Sequence, residues 1–343
     1  MSMFAVLLEK LQRREDLTVD EAAGAMAEIM EGRAQPSNIA ALLVGLSMKG
    51  ERPSEIVGLA RTMRGRATRL PFIGNAPDVF DTCGTGGDRA DTFNVSTAAA
   101  LVVAACGVKV AKHGNRSVSS RCGSADVFEA LGVRIDAGPE AAVRCLDCAG
   151  IAFLFAPTFH PSMKHAGPTR KELGIRTAFN LLGPLTNPAG AARQLVGVPR
   201  PELTELVARS LGMLGTARAW VVHGADGLDE LSTTGYSKVS EYRDGAVNTF
   251  YVHPSEFGIA KATRAGLRGG DAETNAGIIR DVLDGRPGAP RDIVLYNAGA
   301  SLLIAGRVAT LAEGLSMAAD AVDSGRVRGV LANLATISQG AAS

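Results

Sequence analysis

The chain has 343 residues, which is enough for about two domains of ordinary size. Apolar residues make up 46% and charged residues 21%, a composition that supports a packed core and excludes disordered and fibrous chains. The formal charge of +1 excludes a general attraction to nucleic acid or to an acidic membrane, so a site for a polyanion has to be local.

The sequence predicts a protein of the cytoplasm. No apolar run approaches the roughly 20 residues that span a bilayer, and the longest candidate, residues 98–108, ends at Lys109. The N-terminal residues lack a basic segment and a small-residue cleavage site, so they are predicted to form a helix rather than a signal peptide. Five cysteines, an odd number, fit reduced thiols. Cys145 and Cys148 have no second such pair to complete a zinc site, and both are predicted to be buried.

Four short amphipathic helices are predicted over residues 1–70. Apolar residues recur at helical spacing from Phe4 to Leu11, and Thr18 with Glu21 forms a capping-box pattern at the start of the second helix. Two Pro-Ser pairs predict the starts of the third and fourth helices. These helices predict a small all-helical domain, and the proline-containing stretch 64–77 is predicted to be its linker.

From residue 78 onward, short β-branched runs bounded by glycine alternate with helix-length stretches, which is typical of a mostly parallel sheet flanked by helices. We therefore predict a larger α/β domain over residues 78–343. The predicted strands are 79–82, 108–111, 151–155, 194–198 and 219–222. The predicted helices between them, each with a glycine just past its end, are 97–106, 125–131 and 202–214.

Two segments modify this pattern. Residues 237–252, with Asp244-Gly245 at the middle, predict an antiparallel hairpin, so the sheet is mixed. Residues 160–188 are rich in proline and basic residues and interrupt the alternation. Helices within about 161–188 are predicted to fold back and complete the helical domain, which is hinged to the α/β domain.

A glycine-rich turn follows the first predicted strand. Residues 84–88 read Gly-Thr-Gly-Gly-Asp, so consecutive backbone N–H groups can converge on one anion, and Thr85 adds a hydroxyl. The pattern is not a dinucleotide-binding fingerprint, because Arg89 stands where its last glycine should be, and it lacks the Gly-Lys-Ser/Thr of a P-loop. A phosphate site and a purely structural turn both fit this motif alone.

Two further polar segments follow. Asn94-Val-Ser-Thr97 precedes an apolar helix, where Ser or Thr is a normal N-cap and where the helix N-terminus also suits a phosphate. Residues 112–120 read Lys-His-Gly-Asn-Arg-Ser-Val-Ser-Ser, which fits a polyanion site and also a solvated loop. Because open α/β sheets bind ligands at successive strand ends, the three segments together favour a phosphate-bearing ligand.

Asp229-Glu230 lies in a loop after the last predicted parallel strand. Adjacent carboxylates in a loop are commonly just solvated. Opposite a phosphate site they indicate Mg²⁺, which prefers a few carboxylates, water and the phosphates of the substrate. Together, the motifs predict a diphosphate-bearing substrate and its metal ion.

The ordered set of motifs closely resembles the anthranilate phosphoribosyltransferase family, which has the nucleoside phosphorylase-like fold. The resemblance covers essentially the whole chain and is carried by residues 84–88, 94–97, 112–115, Arg170 within 165–177, the run Asn180-Leu-Leu-Gly-Pro-Leu-Thr-Asn-Pro188, and Asp229-Glu230. It implies Mg²⁺-dependent transfer of the phosphoribosyl group of phosphoribosyl diphosphate (PRPP) to the amino group of anthranilate, with release of diphosphate, in tryptophan biosynthesis. It also implies two Mg²⁺ ions and a homodimer formed through the helical domain, while association with anthranilate synthase components stays open.

The family's site residues carry over by matching motif. The residues implied for PRPP are Gly84, Gly87, Asp88, Thr92, Asn94, Val95, Ser96, Thr97, Lys112, His113, Gly114, Asn115, Arg116, Ser117, Val118, Ser119, Ser120 and Ser124. Those implied for anthranilate are Gly84, His113, Asn115 and Arg170, and those implied for metal are Ser96, Asp229 and Glu230. One departure is Cys122, which stands where the family usually has serine and leaves the part of that side chain in phosphate binding open.

The leaving group determines the expected mechanism. Diphosphate departs well only when its charge is neutralised, so Lys112, the glycine-rich turn and Mg²⁺ are expected to stabilise an oxocarbenium-like transition state. No nucleophilic side chain and no covalent enzyme intermediate are expected. Arg170 is expected to pair with the anthranilate carboxylate, although a surface arginine beside Lys171 fits the same pattern.

Three alternatives stay open. A pyrimidine nucleoside phosphorylase shares this fold, but its signature has Lys-His-Ser before the glycines, where Asp81-Thr-Cys stands here. A type I phosphoribosyltransferase has its acidic pair directly after a strand, whereas residues 224–227 intervene here. A non-catalytic nucleic-acid-binding relative would have a basic groove and eroded motifs, which the balanced charge and intact motifs do not favour.

Overall fold

The computed structural model describes residues 2–72, 78–88, 90–117 and 121–340. Its α-helices are α1 (Met3–Gln12), α2 (Val19–Met30), α3 (Pro36–Lys49), α4 (Pro53–Gly65), α5 (Val95–Ala105), α6 (Ser124–Ala130), α7 (Pro139–Cys148), α8 (Ala156–Phe159), α9 (Gly167–Leu173), α10 (Leu182–Leu185), α11 (Leu203–Met213), α12 (Ala272–Leu283), α13 (Ala289–Ile304), α14 (Leu311–Asp323) and α15 (Arg326–Ser338). Its strands are β1 (Phe80–Gly84), β2 (Val110–Gly114), β3 (Ile151–Phe155), β4 (Arg193–Gly197), β5 (Arg218–Gly224), β6 (Ser237–Arg243) and β7 (Ala246–Val252). Short 3₁₀ helices lie at Pro161–His165, Ala178–Asn180, Pro254–Phe257 and Arg264–Leu267.

The four N-terminal helices form where the sequence predicts them. The capping box at the start of α2 is present, since Thr18 Oγ1 accepts the Glu21 N–H at 3.2 Å and Glu21 Oε2 accepts the Thr18 N–H at 2.9 Å. Proline occupies the first position of α3 and of α4, where a helix does not need its N–H. Phe4, Leu7 and Leu11 are buried on one face of α1. The helix caps and the spacing of the apolar residues therefore both agree with the four predicted helices.

The predicted linker begins too early along the chain. α4 continues to Gly65, and Arg64 Nε donates to the Leu185 carbonyl at 2.5 Å while Nη1 donates to the Leu214 carbonyl at 3.0 Å. These carbonyls lie at the ends of α10 and α11, where helices leave acceptors without partners. Arg64 thus joins the fourth helix to two elements from distant parts of the chain. Residues 73–77 of the predicted linker lie outside the described residues.

The strands of the described chain form one seven-stranded sheet in the order β3-β2-β1-β4-β5-β6-β7. The neighbours from β3 to β5 are parallel, and the pairs β5-β6 and β6-β7 are antiparallel. The predicted α/β class, with a mostly parallel but mixed sheet flanked by helices, is confirmed. The predicted hairpin is also confirmed, and Asp244 and Gly245 turn it with φ values of 51° and 83°.

Two strands extend past their predicted ends. β1 reaches Gly84 and β2 reaches Gly114, so Lys112 and His113, predicted in a loop, are buried strand residues. Burying a cation is costly unless it is hydrogen-bonded, which is why a polar run predicts a loop. Here backbone carbonyls accept hydrogen bonds from both side chains. The polar residues can therefore be buried within the strand.

Apolar side chains form two buried clusters. The larger one surrounds α5, where every residue from Val95 to Ala104 except Ser96 is buried, and it includes α13. The smaller one contains most of the buried apolar residues of α1–α4 together with Phe179 and Leu182 of the segment 161–188, and it continues onto β4, β5 and α11. The division into a helical domain of residues 1–70 and 161–188 and an α/β domain of residues 78–343 stays a prediction.

Two smaller sequence predictions have different outcomes. Within the described ranges, no helix has the length and apolar character needed to cross a bilayer. Cys145 is buried as predicted, but Cys148 is exposed, because the buried face of α7 is made by Ala142, Cys145 and Leu146.

β1 lies where the strand order reverses. Its two parallel neighbours are β2 on one side and β4 on the other. In open α/β sheets, the crevice beyond the carboxyl ends of the strands at this point is the usual ligand site. Residues 84–88, which we call the glycine loop, begin at this edge of the sheet.

Candidate active site at the carboxyl edge of the sheet

The glycine loop binds a carboxylate of this chain. Asp229 Oδ2 accepts the Gly86 N–H at 3.0 Å. A Cβ at Gly84 would lie 2.4 Å from the same oxygen, and a Cβ at Gly197 would lie 1.5 Å from the Asp229 carbonyl oxygen. Glycine at these two strand ends therefore allows the acidic loop to approach β1 and β4, and the Gly86 N–H is a donor suited to an anion.

The N-terminus of α5 meets the second carboxylate of the same loop. Glu230 Oε1 accepts the Ser96 N–H at 3.1 Å. Asn94 stands at the N-cap position, but its side chain forms no cap hydrogen bond and instead joins Cys122 and Asn275. Ser96 and Thr97 lie inside α5, so the interpretation of Ser or Thr in this motif as the N-cap is wrong. The positive end of the helix faces an acidic side chain.

The remaining residues of this motif differ in what they offer a ligand. The side chains of Val95 and Thr97 are buried, so only their backbone groups can take part in binding. Ser96 is half-buried, and its Oγ accepts a hydrogen bond from Lys112 Nζ at 3.2 Å. Among these residues, Ser96 is the one whose side chain lies beside both a cation and the acidic loop.

Lys112 is a buried cation under the glycine loop. It is 1% exposed, and its Nζ also donates to the Thr82 carbonyl. Burial lowers the pKa of Lys112, while the nearby carboxyls of Asp81, Glu230 and Asp229 oppose this and favour the charged form. The structure thus places Lys112 Nζ between the Thr82 carbonyl of β1 and the Ser96 hydroxyl of α5.

Asp229 and Glu230 form an acidic cluster with Asp88 of the glycine loop. Burial raises the pKa of Asp229 to about 7, and the neighbouring carboxyl of Asp88 acts in the same direction. Burial and the charge of Asp229 raise the pKa of Glu230 to about 8. Carboxylates that repel each other in this way are suited to a divalent cation.

The donor set fits Mg²⁺ when the substrate supplies further ligands. No group of three or more His, Cys, Asp and Glu side chains with metal-binding geometry occurs among the residues that the structure describes. Mg²⁺ needs few protein ligands, since it keeps waters and commonly binds one or two carboxylates together with substrate phosphates. Asp229 and Glu230, with the Ser96 hydroxyl nearby, match that requirement.

The predicted loop after β2 contains one compact group of residues at its start. A Cβ at Gly114 would lie 2.2 Å from Ser124 Oγ, and Ser124 Oγ donates to the Asn115 carbonyl at 3.4 Å, so these three residues lie together. The Ser117 N–H is bound by Asp126 at 3.2 Å. The predicted sites Val118, Ser119 and Ser120 lie outside the described residues.

Arg116 is engaged on the far side of this loop. Its guanidinium donates to Asp126 at 2.7 Å and to Glu129 at 2.9 Å, and it lies 6.0 Å from the ring centroid of Phe155. The side chain of Arg116, which the resemblance implies for PRPP binding, is therefore bound by two carboxylates of α6. The backbone N–H of Arg116 is also engaged, since it donates to Asn115 Oδ1 at 2.8 Å.

Thr92 lies beside a shallow pocket. It pairs with Arg268 in a β-bridge, and Cys122 and Asn275 also line the pocket. Burial raises the pKa of the Cys122 thiol to about 11, and its Sγ donates to the Gly123 carbonyl at 3.4 Å. Cys122, which the resemblance marks as a departure, is thus a neutral thiol at the wall of this pocket.

Arg170 is a half-buried cation on the segment that folds over the edge of the sheet. Its guanidinium lies 5.7 Å from the ring centroid of Phe179, and burial lowers its pKa. Within the described part of the chain, no hydrogen bond or ion pair to the Arg170 guanidinium is found. A cation that is partly removed from water without a carboxylate partner is suited to an anionic ligand.

Two buried histidines lie next to each other near this segment. The rings of His113 and His160 are 5.2 Å apart, and His113 Nδ1 donates to the Gly183 carbonyl at 3.0 Å. His113 Nε2 and both ring nitrogens of His160 are buried without a hydrogen-bond partner among the described residues. Burial lowers the pKa of His113 to about 3 and that of His160 to about 4, so both are neutral. Sequence reasoning missed His160.

Sequence reasoning also missed the residues that join the site's parts. Asp81 is fully buried and accepts the His113 N–H at 3.2 Å and the Asn187 side-chain amide at 2.8 Å. Asp81 thereby links β1, β2 and the segment 161–188. Arg176 donates to the Thr85 carbonyl at 3.2 Å, from the segment 161–188 to the glycine loop.

Family models and relatives match nearly the whole chain. The model described as the glycosyl transferase family, a/b domain, matches residues 76–328, and the model of that family's helical bundle domain matches residues 5–67. The chain is similar to the anthranilate phosphoribosyltransferase of Moorella thermoacetica, with 55% identity over 94% of this chain and 95% of the relative.

Solved structures are similar over the same extent. The anthranilate phosphoribosyltransferase of Thermus thermophilus is 42% identical, with a TM-score of 0.90 over 97% of this chain and 99% of its own. The Saccharomyces cerevisiae protein of that name is 25% identical, and its complex with PRPP and Mg has a TM-score of 0.89 and covers 98% of both chains. Its complex with 4-fluoroanthranilate has a TM-score of 0.86, covering 98% of this chain and 99% of that one.

Proposed function

The chain belongs to the anthranilate phosphoribosyltransferases of the glycosyl transferase family, and from this premise we propose how its own residues transfer the phosphoribosyl group of PRPP to the amino group of anthranilate. The products are N-(5-phosphoribosyl)anthranilate and diphosphate, in tryptophan biosynthesis. The observation that carries the proposal is the meeting of Asp229 and Glu230 with two anion-binding N–H groups, those of Gly86 and Ser96. A diphosphate and its cation need these donors and these carboxylates at one place.

PRPP occupies the carboxyl edge of the sheet in this proposal. Its diphosphate lies on the N–H groups of the glycine loop and at the N-terminus of α5, with Lys112 below. Mg²⁺, when bound to Asp229, Glu230 and Ser96, supplies positive charge against the diphosphate. The predicted number of two ions belongs to the proposal. Gly114, Asn115 and Ser124 border the rest of the substrate.

Anthranilate meets the segment 161–188. Arg170 pairs with its carboxylate, because the guanidinium is half-buried and a carboxylate offers two oxygens to its fork. His113 and His160 are neutral and carry ring nitrogens without partners among the described residues, which suits an aromatic amine and carboxylate at close range. Asn115 and Gly84 complete the predicted set for this substrate.

The chemistry is a displacement in which the leaving group needs more help than the nucleophile. The C1–diphosphate bond of PRPP breaks toward an oxocarbenium-like transition state, and Lys112 stabilises the charge that develops on the diphosphate. The amine of anthranilate is weakly basic, so its position near C1 contributes more than a general base would. Burial raises the pKa of the Cys83 thiol, and the negative charge of Asp81 acts in the same direction, so this thiol is a poor nucleophile. The absence of a covalent enzyme intermediate belongs to the proposal.

Assembly and location follow the family expectation. We propose a homodimer formed through the helical domain, which is made by residues 1–70 and completed by 161–188. We also propose that the protein acts in the cytoplasm without a membrane or nucleic-acid partner. Sedimentation analysis tests the dimer directly.

The loss of anthranilate fluorescence tests the function. When purified protein is mixed with PRPP, Mg²⁺ and anthranilate, the anthranilate fluorescence should fall as anthranilate is consumed. Omission of any one component should prevent this fall. Phosphorolysis of thymidine or uridine is the control reaction and should be absent. Fluorescence that stays constant with all components present, while a nucleoside is cleaved, would contradict the proposal.

A further inference from the structure

Arg176 covers the glycine loop although it belongs to the segment 161–188. Its Nη2 donates to the Thr85 carbonyl at 3.2 Å and lies 3.4 Å from Thr85 Oγ1. A Cβ at Gly87 would lie 1.7 Å from Nη1, so the guanidinium rests directly on the loop backbone. The side chain is nevertheless exposed, and a ligand from solvent can reach it.

Arg176 lies on the stretch of the loop that binds an anion. Asp229 Oδ2 accepts the Gly86 N–H at 3.0 Å, and the Arg176 guanidinium contacts Thr85 and Gly87, the residues on either side of Gly86. An anion that binds the Gly86 N–H has to take the place of the Asp229 carboxylate. It then lies between the two loop residues that the Arg176 guanidinium contacts.

We propose that Arg176 binds the diphosphate of PRPP on the glycine loop. The inference rests on the proposed function and adds a binding residue to it. An arginine fork can donate to phosphate oxygens and to a carbonyl at once, so the bond to Thr85 holds the loop in place while other N–H groups face the diphosphate.

A purely structural tether is the competing explanation, and three variants separate the two. Arg176→Gln keeps an amide donor for the Thr85 carbonyl but removes the charge. Arg176→Lys keeps the charge but removes the fork. Lys171→Gln is the matched control, because Lys171 is exposed on the same segment and the same single charge is lost.

Calorimetric titration with diphosphate and Mg²⁺, on the full chain, is the measurement. Charge-assisted hydrogen bonds predict that Arg176→Gln weakens diphosphate binding about tenfold or more and raises the KM for PRPP to a similar extent. Arg176→Lys is expected to fall between this variant and the unchanged chain. The KM for anthranilate should change less than about twofold, and Lys171→Gln should leave both constants unchanged.

The outcomes are distinct from those of the proposed function. Diphosphate binding by Arg176→Gln equal to that of the unchanged chain would overturn the inference. So would an equal rise of both KM values, or the same loss in Lys171→Gln. If Arg176→Gln fails to fold, Arg176→Lys provides the test. Weaker diphosphate binding by Arg176→Lys than by the unchanged chain would support the inference, and equal binding would overturn it. Absence of PRPP-dependent turnover in the unchanged chain would instead overturn the proposed function.

Discussion

Glu230 and Ser96 are joined at the edge of the sheet, where Glu230 Oε1 accepts the Ser96 N–H at 3.1 Å. The carboxylate thereby occupies a helix N-terminus that also suits a phosphate. Asp229 does the same at the Gly86 N–H of the glycine loop. In the chain alone, the two proposed metal ligands therefore bind the donors proposed for the diphosphate, and the arrival of Mg²⁺ and PRPP has to redistribute these contacts.

The double variant Asp229→Asn, Glu230→Gln is expected to lower Mg²⁺-dependent turnover by orders of magnitude, because neutral amides hold Mg²⁺ poorly. Initial rates measured against Mg²⁺ concentration check this. The control is Glu140→Gln with Asp147→Asn, two exposed acidic residues on α7. Unchanged rate and metal dependence in the site variant would mean that the acidic pair is ordinary surface.

Arg170→Ala is expected to raise the KM for anthranilate far more than the KM for PRPP. The loss of a charge-assisted hydrogen bond to the carboxylate predicts a change of roughly ten- to a hundredfold. Steady-state kinetics with each substrate varied in turn measure both constants. Lys171→Ala, the exposed neighbour, is the control. Equal effects on the two substrates in Arg170→Ala would contradict the assignment.

The buried histidines predict a loss of stability in acid. Burial lowers the pKa of His113 to about 3 and that of His160 to about 4, below the value of about 6.5 in an unfolded chain. Between these values the unfolded chain binds more protons, so the free energy of unfolding falls as the pH falls from about 6.5 to about 4, by up to about 1.4 kcal/mol per pH unit for each histidine.

His160→Gln is expected to make this pH dependence shallower, because one of the two groups no longer titrates. Urea unfolding at several pH values between about 7 and 5 measures the slope. His165→Gln, at an exposed histidine, is the control and should keep the slope of the unchanged chain. An identical slope in His160→Gln would mean that this side chain takes up protons equally in both states.

Arg64→Met is expected to lower the free energy of unfolding by roughly 1 to 3 kcal/mol, because the carbonyls of Leu185 and Leu214 lose a charged donor. Urea unfolding checks this. The control is Arg61→Met, because Arg61 lies on α4 like Arg64 and forms an exposed ion pair with Asp20 of α2. This substitution should change the free energy of unfolding by less than about 1 kcal/mol. Equal effects of the two substitutions would contradict the view of Arg64 as a junction between α4 and the ends of α10 and α11.

Local chemistry explains which parts of the fold the sequence predicts. The capping box of Thr18 and Glu21 and the turn at Asp244-Gly245 depend on neighbouring residues, and both are present. The loop prediction for Lys112 and His113 is wrong because polarity alone does not reveal that backbone carbonyls accept them inside a strand. Their burial depends on Thr82 and Gly183, which come from other elements.

The site residues also divide into those that the sequence predicts and those that it does not. Motifs at strand ends, such as residues 84–88 and Asp229-Glu230, are visible in the sequence because each has a local pattern. Arg176 and His160 carry no such pattern, and only the folding of residues 160–188 over the sheet brings them to the glycine loop and to His113. Long-range contacts of single residues leave no signal in one sequence.

Phosphorus NMR of the complete reaction tests the central claim most directly, because it follows the leaving group itself. With PRPP, anthranilate and Mg²⁺, the account predicts that diphosphate accumulates in equal amount to the anthranilate consumed, and that chelation of the metal stops both. Anthranilate consumed without diphosphate, or diphosphate released at the same rate without anthranilate, would contradict it.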